Sequence, residues 1–267
     1  MTLRNRIALA ALALSAGAPL VHAHEVWLLP SSTVLSKGGY VTIDGAVSND
    51  TFHFTYRPMR IDNNLTISAP DGTAVQPENM VQGQLRTVFD ANLQANGTYR
   101  LAVTNASVMA SWKEGGETKR WRGAPDGLAT NVPADATDLT VREGYGRIET
   151  FITVGSPTPV APEGKGLELA PVTHPNDLYT GEATILGFTI DGKPAANIEV
   201  SLMAGATRYR DQLDKVTLTT DDKGQITHTW ATPGMYYLSA VVNDQNATRQ
   251  NAERRLSYVA TLEVLPQ

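Results

Sequence analysis

Asn96-Gly97-Thr98-Tyr99-Arg100-Leu101-Ala102-Val103 is the stretch on which the fold turns. A turn dipeptide leads straight into a β-rich run, and the glycine permits backbone angles that other residues resist. The same pattern returns as Pro233-Gly234-Met235-Tyr236-Tyr237-Leu238. Both read Gly-x-Tyr-x-Leu after a turn. We expect each to close a strand pair, with the Tyr beginning a strand of an immunoglobulin-like sandwich. The repeat is too short to establish duplication, but it points to two halves of similar architecture.

Outward from these two points, strand signals dominate. Val41-Thr42-Ile43, Leu65-Thr66-Ile67, Glu149 to Val154 and Ile198 to Leu202 alternate or are β-rich. Pro70-Asp71-Gly72, Asp191-Gly192-Lys193-Pro194 and Asp222-Lys223-Gly224 supply turns between them. Thr219 to Ile226 reads as a hairpin. No segment after the first 23 residues sustains a helical period with caps. The fold class is therefore all-β, a pair of sandwiches.

Gly155 to Gly166 holds three Pro and three Gly in twelve residues. Such composition is extended and packs poorly. It sets a linker at 156–166 between an N-terminal sandwich, 24–155, and a C-terminal immunoglobulin-like sandwich, 167–267.

The first 23 residues read as a cleaved signal peptide. Arg4 and Arg6 precede an apolar run from Ile7 to Ala16, Pro19 breaks it, and Val21-His22-Ala23 suits cleavage. Export to a periplasm is the expectation. The 267 residues contain no Cys, which excludes disulfides, thiolate metal sites and cysteine nucleophiles. The net charge of −5 argues against a nucleic-acid partner. No later apolar run reaches membrane-spanning length.

Cleavage after Ala23 would leave His24 first, its α-amine beside its imidazole. Amine nitrogen and ring Nδ1 can chelate one ion, and such donors suit copper, nickel and zinc. His53, in Thr51-Phe52-His53-Phe54-Thr55-Tyr56, is the candidate second imidazole. If that segment is a strand, His53 lies opposite Phe52 and Phe54 on the polar face. His174 and His228 read as structural residues. Ser111 to Val141 lacks clear strands and is long for a loop. Its Trp112, Arg120 and Trp121 suit an anionic or aromatic ligand; the bland alternative is a hairpin packed by its own tryptophans. There is no nucleophile elbow, no His-Glu-x-x-His, no phosphate loop and no dinucleotide fingerprint, so no enzyme is expected.

The opening His24-Glu25-Val26-Trp27-Leu28-Leu29-Pro30 resembles that of a bacterial periplasmic family of unknown function, the NikM-like proteins. These were long described as a nickel-uptake substrate-specific component. Leu167 to Pro175, Asp191 to Ala195, Thr220 to Gly224 and Tyr258 to Val264 resemble further family segments. The resemblance implies a periplasmic accessory in nickel or cobalt uptake, with His24 carried over as a ligand. An uptake transporter or outer-membrane receptor would be its partner. Copper-resistance carriers and lytic polysaccharide monooxygenases also begin with His on a β-sandwich. Copper handling, and less readily copper oxidase chemistry, are therefore alternatives. A third is a non-catalytic interaction module working through the Trp112–Trp121 loop.

Overall fold

The computed structural model describes residues 24–205 and 215–267. The leader expected at 1–23 lies outside the described residues. The first half contains β1 (Glu25–Pro30), β2 (Val34–Leu35), β3 (Gly39–Ser48), β4 (Arg57–Pro58), β5 (Leu65–Ser68) and β6 (Ala74–Val75). It continues with β7 (Glu78–Gln82), β8 (Thr87–Leu93), β9 (Gly97–Glu114), β10 (Glu117–Gly123) and β11 (Thr137–Val154). The second half contains β12 (Leu167–Leu169), β13 (Ala183–Ile190), β14 (Lys193–Pro194) and β15 (Glu199–Ala204). Then come β16 (Val216–Thr219), β17 (Gln225–Thr229), β18 (Gly234–Asp244) and β19 (Ala252–Val264).

Alternation decides which face is buried. β8 reads buried at Thr87, Phe89, Ala91 and Leu93 and half-buried between them. This is the period of two expected of a strand with one wet face. Two sheets enclose the first core. One runs β1-β3-β8-β7 with β4 beside β3; its partner carries β11-β9-β5-β6. Trp27, Ile43, Phe89, Leu101 and Ile152 fill the space between them. The second core lies between β12-β13-β14, joined by β17, and β16-β15-β18-β19. Trp230, Phe188, Leu238 and Tyr258 fill that one.

The two Gly-x-Tyr turns behave differently from expectation. Gly97 opens β9 after β8, and Gly234 opens β18 after β17, and in each case the two strands belong to different sheets. Neither turn closes a hairpin. Each is a corner that carries the chain from one sheet to the other. Both glycines sit in left-handed space, at φ 125° and 130°. Each Tyr hydroxyl then reaches four residues back: Tyr99 donates to the Ala95 carbonyl at 3.1 Å, and Tyr236 to that of Thr232 at 2.8 Å. These are tyrosine corners, a mark of immunoglobulin-like sandwiches. The segment 219–226 is likewise no hairpin, since β16 pairs with β15 and β17 with β13.

One ten-stranded sheet passes through both halves. Its seam is β11 against β19, parallel, with Val141 to Thr150 registered on Ala252 to Thr261. Residues 156–166 form no strand, yet they are pinned down. Glu168, fully buried, accepts the backbone N–H groups of Glu163, Gly164 and Lys165 at 2.9, 2.7 and 2.8 Å.

Candidate functional site

β1 opens the first sheet, and His24 stands exposed at its head. The imidazole lies on the ring of Tyr56, with centroids 4.1 Å apart and planes 22° from parallel. Tyr56 belongs to the loop that follows β3. Thr51, at the loop's start, is buried and donates its hydroxyl to the Glu25 carboxylate. The loop is thus tied to the head of β1 at both its ends. The Glu25 charge also reaches inward, where burial first and this carboxylate second push the Tyr237 phenol above its ordinary value.

Thr51 to Tyr56 is not the strand that its alternation suggested. His53 donates its backbone N–H to the Asp50 carbonyl at 3.1 Å, and its own carbonyl accepts from Thr55 at 3.2 Å. These are turn bonds, and they defeat the period of two. Phe52 holds φ at 59°, a left-handed conformation that costs a bulky L-residue about 1–2 kcal/mol. Its ring meets Trp27 edge-on at 5.7 Å, which repays the strain by burial. The result aims His53 into a cleft of about 340 Å³ shared with Leu29, Phe52, Gly205, Pro233 and Met235.

His24 does not line that cleft. The loop therefore contacts one imidazole and carries the other, without putting both in a single cavity. Among the described residues, no three His, Asp or Glu side chains converge as a metal site. The imidazole donors that remain are the nitrogens of the His24 and His53 rings. Copper, nickel, cobalt and zinc accept such donors. Tyr56 is the residue that sequence reasoning missed. Its only signal was its place in the aromatic run beside His53.

His174 and His228 are built into the framework. His174 Nδ1 accepts the Asn176 N–H at 3.1 Å, and Nε2 lies 3.0 Å from the Thr158 carbonyl and 2.9 Å from the Thr98 hydroxyl. With Nδ1 accepting, the ring is neutral and Nε2–H donates. Burial lowers the pKa of both histidines. His228 sets its ring edge-on to Trp230 at 4.7 Å.

The Trp112–Trp121 region is strand after all. β9, β10 and β11 run through it as a three-stranded extension of the large sheet. Trp112 and Trp121 share one face with Ala110 and pack against Val132 and Leu128 in a small core of their own. Trp121 lies so close over Gly123 that a Cβ there would meet its ring at 2.4 Å. Arg120 points to the opposite face, where it lines a cleft of about 590 Å³ with Arg122 and Arg142. The three expected ligand residues are thus divided between two faces.

A buried ionic cluster joins the halves, and no sequence motif announced it. Arg147, 1% exposed, pairs with Glu149 at 2.7 Å and Glu163 at 2.6 Å and lies 3.4 Å from Glu168. Burial alone would lower the Arg147 pKa; the Glu163 hydrogen bond and the Glu149 charge outweigh it and raise it. Tyr258, from the second half, donates to Glu149 at 2.8 Å.

No curated protein matches the chain. Among solved structures it is similar to the D0-D1 domain of intimin, at 12% identity, covering 88% of this chain and 96% of that one, with a TM-score of 0.21. It is similar to a DUF4785 family protein of Legionella pneumophila, at 10% identity over 80% of this chain and 50% of that one, TM-score 0.24. It is also similar to Escherichia coli alpha-2-macroglobulin, at 14% identity over 92% of this chain and 20% of that one, TM-score 0.25. A family model described as a domain of unknown function, DUF4198, matches residues 21–244. That span takes in the amino-terminal edge, the first-half strands and the second half through β18, stopping short of β19, and the chain belongs to the DUF4198 family.

Proposed function

We propose that the protein is an exported, non-catalytic accessory that binds a transition-metal ion at its amino-terminal edge. It would serve nickel, cobalt or copper uptake or handling beside a transporter or an outer-membrane receptor, as the NikM-like resemblance implies. The observation that carries this reading is the clamped loop. Thr51 holds it to Glu25, Tyr56 stacks on His24, and beside the strained Phe52 the loop sets His53 in the adjoining cleft. Strain of this kind persists only where the surroundings enforce it, and it gathers at functional sites. Stacking on Tyr56 limits the motion of His24, which lowers the entropy lost when its ring and amine close on an ion.

Calorimetric titration with copper, nickel, cobalt and zinc tests the reading. The two proteins compared begin at His24 or carry one extra residue before it. Binding that weakens tenfold or more on extension supports the chelate, with copper tightest by the Irving–Williams order. His53→Ala should weaken binding further if its ring completes the set. Equal affinity of the two proteins, or no binding by either, overturns the proposal.

A further inference from the structure

β10 is an edge strand. It pairs with β9 through Glu117 to Gly123, and among the described residues nothing pairs with its other side. The segment that follows does not cover it. Residues 124–136 cross the tryptophan face instead, where the Pro125 carbonyl accepts from Arg249 at 2.8 Å. The edge therefore presents open backbone N–H and C=O groups.

The face opposite the tryptophans is rich in arginine. Register places Arg122 beside Met109, Met109 beside Arg142, and Arg142 beside Glu253. One row further, Arg120 lies beside Ser111, which lies beside Thr140. Residues two apart on a strand stand about 7 Å from one another and share a face. Arg142 is neutralised by Glu253 at 2.6 Å. The side chains of Arg120 and Arg122 have no hydrogen-bond or ion-pair partner among the described residues. These two unpaired cations project from the edge strand itself, in a protein whose net charge is −5.

We propose that the β10 edge takes an extended acidic peptide as an added strand, with carboxylates at alternate positions over Arg120 and Arg122. Strand addition draws affinity from main-chain hydrogen bonds and selectivity from alternate side chains. Arginine meets carboxylates in a two-pronged geometry that suits this spacing. An anionic glycan would use the arginines and leave the edge groups unpaired; a peptide uses both. Met109 and Leu139, 47% and 44% exposed, add apolar surface beside the arginines. Charged residues also guard edges against aggregation, and the experiment separates guard from docking site.

A random decapeptide library displayed on phage would be panned on the intact protein. Counter-selection would use the Arg120→Glu/Arg122→Glu variant, with Arg120→Gln/Arg122→Gln as a second pair. The expected result is enrichment of Asp or Glu at every second position. The synthetic consensus peptide should bind the charge-reversed protein at least tenfold more weakly. Methylation of its alternate amide nitrogens on the pairing side should abolish binding. No acidic consensus, or a methylated peptide that binds undiminished, overturns the proposal. So does a heparin fragment that binds through the arginines when no peptide is enriched. The readout involves no metal, so it is independent of the amino-terminal site.

Discussion

His24 and His174 show how little residue type says about role. One is exposed on a tyrosine ring, the other half-buried with both ring nitrogens engaged. The difference gives His174 a pH signature. Its folded pKa lies below the ordinary 6.5, chiefly because burial disfavours the charged ring. Below that value the unfolded chain binds more protons, so stability is full above about pH 6.5 and falls as pH drops towards the folded pKa. His228 acts in the same direction. Carboxylates such as Glu163, held low by the Arg147 hydrogen bond, stabilise fully above the ordinary 4.5 and lose that contribution only as pH falls below it, in a separate window. We expect the melting temperature to decline between pH 6.5 and 5. The decline should be shallower in His174→Gln, measured by calorimetry across that range. An unchanged slope would refute the assignment.

At the scale of elements, two devices stand out. The first is the long extension of β9, β10 and β11. It departs from both sandwiches and stands because its tryptophans bury themselves on one side, freeing the other side for arginine. The second is the cluster that fastens residues 156–166 to β11 and β19. A buried charge stripped of its partner is expensive, about 3–5 kcal/mol. Arg147→Met would leave Glu149 and Glu168, both fully buried, without their principal cation. Urea unfolding should record a loss of about that size. A loss under about 1 kcal/mol would mean that the cluster merely occupies space, as exposed pairs do.

For the whole molecule, the seam decides behaviour. Ten registered pairs join β11 to β19, and each core borrows from the other half: Phe151 enters the second, and Met203, Tyr237 and Val259 enter the first. Backbone hydrogen bonds and shared apolar burial therefore span the division at 156–166. If a protease site is placed in that stretch and cut, the two fragments should co-elute on size exclusion. They should also unfold in a single transition before and after cutting. Separation of the fragments under native conditions would show that the seam is too weak to couple them.

Sequence alone determined the all-β class and the two Gly-x-Tyr points, because strand alternation and turn chemistry act over a few neighbouring residues. It also brought His24 and His53 forward, since imidazole is recognisable as a donor wherever it lies. Several things were decided by tertiary structure. The two turns became sheet-to-sheet corners, Thr51 to Tyr56 became a clamped loop, and Trp112 and Arg120 parted to opposite faces. The fusion of ten strands into one sheet, and the pairing of Arg147 with Glu149 and Glu163, also arose there. Each of these depends on which distant strand lies alongside. That choice is made by the joint burial of two cores and by buried charges finding partners, and it leaves no local pattern in the chain.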